Sequence, residues 1–195
     1  MASRRRCAQN LQPAPFPHQF SALLEGGLRW QYLEPGAIAG MLGIAAGMSV
    51  LDVGAGTGIF TVEAARMVGD QGMVHAVELQ EPLLHKTEMR CHSAGVSHLV
   101  HLHHCGVYDL PFIDDSIDLA LLVSTFGEIA DKPAALSELR RVLKPDARLG
   151  VTEEMLFPGY VGAGSSRRWL EEAGFQWLAK SGSPWCYTAV FRNQK

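Results

Sequence analysis

Nowhere in its 195 residues does the chain hold an apolar run near the ~20 residues that a membrane-spanning helix requires. Nor does a continuous apolar core of a secretory signal stand near its start. A soluble, cytoplasmic protein is the expectation. Excess charge is scarce too: 17 basic and 20 acidic side chains leave a formal net charge of -3, too weak a field to gather nucleic acid or anionic lipid. Neither is expected as a partner. The basic, acid-free stretch over residues 1–20, with arginines at 4, 5 and 6, reads as a disordered start and leaves a targeting role open. Cysteine is sparse: Cys7, Cys91, Cys105 and Cys186 show no C-x-x-C spacing and no density suited to a disulfide framework, which fits a reducing compartment. Neither an internal repeat nor a low-complexity segment interrupts the chain, and no nucleophile elbow or catalytic triad points to hydrolase chemistry.

What is present is an alternation of periods. After an N-terminal extension over 1–46, amphipathic around Phe20, Leu23, Leu24 and Leu28 and broken at Gly26 and Gly27, a short helix opens at Pro35 and stops before Gly47. Strands follow at 49–53, 73–79, 99–105, 117–124 and 147–154, with helices at 59–68, 82–94 and 133–143 between them. Pro82 stands in the first turn of its helix, and Asp131 precedes the helix at 133. After a helix at 166–173, two strand-like runs separated by Gly-Ser-Pro predict an antiparallel hairpin at the sheet edge. The fold class is α/β: a Rossmann-like, seven-stranded, mostly parallel sheet with helices on both faces, formed by a domain over 47–195.

The segment "SVLDVGAGTGIFTVEAA" runs from the first strand through Gly54, Gly56 and Gly58 into a helix. Glycines there allow a sharp strand-to-helix turn and let a ligand approach the backbone. A dinucleotide site wants G-x-G-x-x-G, but the last position is Ile59, which disfavours a nicotinamide-dependent oxidoreductase. Glu78, at the carboxyl end of the second strand, can accept from both hydroxyls of a ribose. Asp52 would repel a pyrophosphate yet suits the ammonium of a methionine moiety, so S-adenosylmethionine fits better than a dinucleotide.

The segments "VLDVGAGTG", "HAVELQ", "LPFIDDSIDLALLV" and "ALSELRRVLKPDARL" resemble the successive motifs of class I S-adenosylmethionine-dependent methyltransferases of the UbiE/methyltransferase-11 type. The resemblance spans residues 47–154. It implies that Asp52, Gly54, Ala55, Gly56, Thr57 and Gly58 hold the methionine end and that Glu78 holds the ribose. Leu79 flanks the adenine, the backbone at Gly106 and Val107 meets its edge, and Val123, Ser124 and Thr125 line the floor beneath the sulfonium. Two positions depart from the family pattern. Gly106 stands where an acid is frequent, and Asp146-Ala147 replace a pair of glycines.

Transfer from an activated sulfonium needs a nucleophile held in line and water excluded, not a nucleophilic side chain. Candidates for acceptor contact or proton removal are Glu128, beyond the fourth strand, and Glu153 and Glu154 at the end of the fifth, against solvated or helix-capping roles for the latter two. Because strand neighbours point to opposite faces, at most one of these two faces the crevice. A helical lid is the expectation for the N-terminal extension; His18 and Phe20 would help to cover the cofactor if it closes, against ordinary packing and surface roles for these two. The run "HLVHLHHC" puts His101 and His103 on one strand face, but a zinc site needs three or four converging ligands, so no metal is expected. With no large insertion in the core, the acceptor is read as a small molecule. A non-catalytic adaptor that keeps the fold is the standing alternative.

Overall fold

The computed structural model of the chain describes residues 32–157 and 159–195, together with Pro17, Gln19, Gly26 and Arg29. The amphipathic stretch around residues 18–31, with His18 and Phe20, lies almost wholly outside the described residues. Helix α1 (Pro35–Leu42) starts at a proline whose fixed φ suits a first turn. It ends at Gly43, left-handed at φ 81, whose N–H reaches the Ala39 and Gly40 carbonyls, so the stop lies four residues before the one expected at Gly47.

Next come β1 (Ser49–Val53), α2 (Ile59–Val68), β2 (Met73–Glu78), α3 (Glu81–Ser93), β3 (Val100–His104) and β4 (Ile117–Val123). They are followed by α4 (Lys132–Val142), β5 (Leu143–Glu154), α5 (Ala163–Glu172), β6 (Phe175–Gly182) and β7 (Cys186–Asn193). Asp131 caps α4 by accepting from Ala134 N at 3.0 Å, as its position before the periodic run predicts. The sheet order is β3-β2-β1-β4-β5-β7-β6. Neighbours run parallel as far as β5, and β7 and β6 close the sheet antiparallel, as the Gly-Ser-Pro connection predicts.

β5 departs from the prediction, starting at Leu143 rather than 147. Lys144, Pro145 and Asp146 read as a turn, yet here they form a bulged strand. Pairing with β4 slips between Ile117 and Leu119, and Asp146 takes a left-handed φ of 61. Asp is one of the few side chains that tolerate that conformation, and Ala147 then keeps an ordinary one.

Each sheet face carries its own core. Leu42, Val50, Phe60, Ala65, Leu119 and Val190 pack under α1, α2 and α3, while Leu51, Leu122, Leu136, Leu139, Leu170 and Phe191 pack under α4 and α5. Each such side chain contributes about 1.5–3 kcal/mol on leaving water. The crossover direction reverses between β1 and β4, and a crevice opens outside the carboxyl ends of strands at such a switch point. Glu78, Ser124 and Glu154 all stand at those ends.

Candidate active site

The loop over residues 54–58 is shaped from three sides. Gly54 N and Ala55 N donate to the Val77 carbonyl of β2 at 2.8 and 3.1 Å, fixing the loop to its neighbouring strand. Gly54 takes φ 73, and a Cβ there would stand 2.5 Å from Thr125 Oγ1, so the loop lies directly against the turn after β4. Gly58 takes φ 80, where a Cβ would meet Thr87 Cγ2 at 2.8 Å and its Cα at 2.9 Å. Thr87 Oγ1 donates to the Gly56 carbonyl at 3.1 Å, and Arg90 Nε donates to the Thr57 carbonyl at 2.6 Å. Thr87 and Arg90 share one face of α3 and clamp the loop. The sequence reading missed both, although their i, i+3 spacing on the helix after β2 is the signal that could have found them.

Glu78 is 6% exposed. Its Oε2 accepts from Gly56 N at 3.0 Å and its Oε1 from Gln80 N at 2.9 Å. Burial raises the carboxyl pKa, against the pull of those N–H donors. Glu78 is thus held at the glycine loop with acceptor capacity toward the crevice, since a carboxylate offers about four lone-pair sites. Leu79 beside it is 44% exposed, an apolar surface available to a base. Gly106 and Val107 are buried just past β3, whose last residue, His104, pairs with Glu78. Asp52 is 2% exposed and accepts from Thr61 Oγ1 at 2.6 Å. Burial, reinforced by the Glu78 charge, pushes its carboxyl up to about 7. Such a group gains by meeting a cation.

The wall facing the glycine loop centres on Glu154, which is 1% exposed. Arg29 Nε and Nη2 donate to it at 3.0 and 2.5 Å, Tyr32 OH donates at 3.1 Å, and Ser124 Oγ donates as well. The Arg29 guanidinium lies 4.8 Å over the Phe157 ring. Ser124 holds a left-handed φ of 54, and its N–H donates to the Thr152 carbonyl at 2.7 Å. Strain of this kind at a non-glycine residue persists only where the surroundings fix it. Burial and the neighbouring Glu154 charge push the Tyr32 phenol up to about 12.

Glu153 points the other way, as strand alternation requires. It is 3% exposed and accepts from Gly127 N and Val161 N, both at 3.2 Å. Burial pushes its carboxyl up to about 7. It braces the turn after β4 against the loop before α5. Neither glutamate is solvated, and Glu153 meets the first N–H groups of the short 3-10 helix Phe126–Glu128, one of the capping roles weighed from sequence. Glu128 is half-buried in the 126–128 turn, with its N–H on the Thr125 carbonyl at 3.0 Å. Glu78, the glycine loop and Asp52 therefore form one wall, and Ser124, Glu154, Arg29 and Tyr32 form the other. The donor and acceptor set fits an adenosyl sulfonium: a carboxylate for the ribose, an acid for the ammonium and an apolar flank for the base.

Comparison with known proteins agrees. A family model described as a methyltransferase domain matches residues 50–146. The ubiquinone/menaquinone biosynthesis C-methyltransferase UbiE of Vibrio campbellii is 36% identical over 107 residues, 55% of this chain and 41% of that protein. The chain thus spans about two fifths of the curated relative it matches. A structure of an S-adenosylmethionine-dependent methyltransferase from Aquifex aeolicus superposes with a TM-score of 0.83 at 24% identity, covering 91% of this chain and 98% of that one. The [4+2]-cyclase SpnF superposes with a TM-score of 0.72 at 20% identity, covering 83% of this chain and 80% of that one. At these identities the likeness speaks for the fold, and the cyclase shows that this fold also carries other chemistry.

Proposed function

We propose that this chain, which belongs to the class I S-adenosylmethionine-dependent methyltransferases, moves the sulfonium methyl of that cofactor to a small acceptor held over the carboxyl ends of β4 and β5. The single observation that carries this reading is the bond from Gly56 N to Glu78, at 3.0 Å. It fixes the glycine loop and the strand-end acid as one unit.

When bound, the cofactor supplies an already activated methyl group. The residues of this chain bind, orient and exclude water. Glu78 grips the ribose hydroxyls, Asp52 faces the ammonium, Leu79 flanks the base, and residues 123–125 form the floor. Tyr32 and Arg29, both anchored on Glu154, wall the acceptor side. With its lone pairs committed to Arg29, Ser124 and Tyr32, Glu154 is a poor proton acceptor, so Glu128 is the better candidate for acceptor contact.

An apolar, aromatic acceptor suits the rim. Met155, Leu156 and Trp185 are 42%, 81% and 64% exposed beside Glu154, and Met155 N donates to the Trp185 carbonyl at 2.8 Å. The UbiE relative, named for C-methylation in quinone biosynthesis, supports the same class. No described helix is long and apolar enough to cross a membrane. The test is transfer of labelled methyl from S-adenosylmethionine across catechols, naphthoquinols, phenols, amines and thiols. Label in an aromatic acceptor is expected. Tight S-adenosylhomocysteine binding with no transfer to any class would favour the adaptor reading instead.

A further inference from the structure

The two side chains of α3 that clamp the glycine loop do more than fasten it, because of where they grip. Gly58 N donates to the Ala55 carbonyl at 2.9 Å, closing a four-residue turn over residues 55–58. Gly56 takes φ 59, while Thr57 keeps a φ outside the positive range. A positive φ at the first central residue alone is the mark of a type II′ turn. The closing bond of such a turn leaves its central peptide, from the Gly56 carbonyl to Thr57 N, untied.

Thr87 ties that peptide from outside. Its side chain is fully buried, and its hydroxyl donates to the Gly56 carbonyl at 3.1 Å. Gly56 is thereby held at both ends, its N–H by Glu78 at 3.0 Å and its carbonyl by Thr87. In a trans peptide the carbonyl and the following N–H point in opposite directions. A Gly56 carbonyl turned to α3 therefore sends Thr57 N–H away from that helix. The next peptide obeys the same rule: Arg90 Nε holds the Thr57 carbonyl toward α3 at 2.6 Å, and Gly58 N–H points back across the loop to Ala55.

On the reading that the crevice takes S-adenosylmethionine, we propose that Thr87 is a positioning residue for that cofactor: through the Gly56 carbonyl it aims Thr57 N–H into the crevice, at the carboxylate of the amino-acid end. A hydrogen bond to a charged acceptor is about twice as strong as a neutral one, and a peptide set in advance spares the bound state the cost of ordering it. Thr87 acts through the backbone, with its own hydroxyl proton spent on Gly56. Glu78 serves the ribose and Thr87 the amino-acid end. Loss of the Thr87 hydroxyl therefore weakens only a ligand that carries that end.

The test is calorimetric titration of the whole chain with S-adenosylhomocysteine, which has the amino-acid end, and with methylthioadenosine, which lacks it. Thr87 Cγ2 is the atom that a Cβ on Gly58 would meet at 2.8 Å. Thr87→Val keeps that methyl and removes the hydroxyl, and Thr87→Ser does the reverse. In Thr87→Val the affinity for S-adenosylhomocysteine should fall about tenfold, the scale of one hydrogen bond to a charged group, while that for methylthioadenosine stays within about twofold of wild type. Thr87→Ser should bind both ligands as the wild type does. Methylthioadenosine binding in each variant also reports that the fold is intact. Unchanged S-adenosylhomocysteine affinity in Thr87→Val, an equal loss for both ligands, or a loss in Thr87→Ser as large as in Thr87→Val would overturn the proposal. Wild-type protein that binds neither ligand would overturn the cofactor reading itself, and this role with it.

Discussion

Glu78 and Gly58 on the glycine-loop side, and the buried acids Asp52 and Glu153, carry different burdens in binding and stability. On the proposed ribose contact, Glu78→Ala should weaken S-adenosylhomocysteine by about 1.5–3 kcal/mol in calorimetry through loss of charged hydrogen bonds. An unchanged affinity would take Glu78 out of the site. Gly58→Ala forces a Cβ at φ 80 toward the Thr87 backbone at 2.9 Å. Left-handed strain alone costs about 1–2 kcal/mol, and the urea midpoint should fall accordingly; a midpoint equal to the wild type would deny the close approach of α3. Asp52 and Glu153 bear on pH. Burial raises both carboxyls to about 7 from ordinary values of 3.8 and 4.5. The folded chain holds these protons after the unfolded chain has released them. Their contribution to stability is therefore full below about pH 4 and is lost as pH rises through 7, on the order of 4 kcal/mol per group at about 1.4 kcal/mol per pKa unit. Denaturation of the cofactor-free protein at pH 5 and pH 7.5 should show this loss, and Asp52→Asn with Glu153→Gln should flatten it. Equal slopes in wild type and variant would contradict the assignment.

At the scale of elements, the site is made where segments distant in the chain meet. Arg29 and Glu154 are separated by 125 positions, and their pair, 9% and 1% exposed, fastens Arg29 to the end of β5. Arg29→Met would leave a buried carboxylate with only hydroxyl donors, at a cost of about 3 kcal/mol. Adding Glu154→Gln should recover part of that loss in urea denaturation, whereas additive losses would show the two side chains to be independent. No pattern in the sequence could show this pair, since nothing local marks either residue as a partner. β1, β2 and α2 were legible because apolar periodicity changes from two to 3.6 across the glycine loop. The start of β5 was not, because Lys144, Pro145 and Asp146 have turn chemistry, and only pairing with β4 makes them strand. Glu78 was legible from its place after a strand. Thr87 and Arg90 were not, because a helix surface bearing Thr and Arg looks the same whether it faces solvent or a loop.

Across the whole molecule, one parallel sheet with a reversal between β1 and β4 brings the ends of four strands to a single crevice. Two cores, one per face, hold that arrangement rigid. The antiparallel β6–β7 pair completes the sheet and sets exposed Trp185 against Met155 at the end of β5, on the side proposed for the acceptor. The central claim is that this crevice is built for an adenosyl sulfonium rather than a dinucleotide. Calorimetric titration of the whole chain with S-adenosylhomocysteine and, separately, with NADH tests it most directly. One equivalent of S-adenosylhomocysteine and no NADH should bind, with the former weakened at least tenfold by Glu78→Ala. Saturable NADH binding with none for S-adenosylhomocysteine would contradict the account.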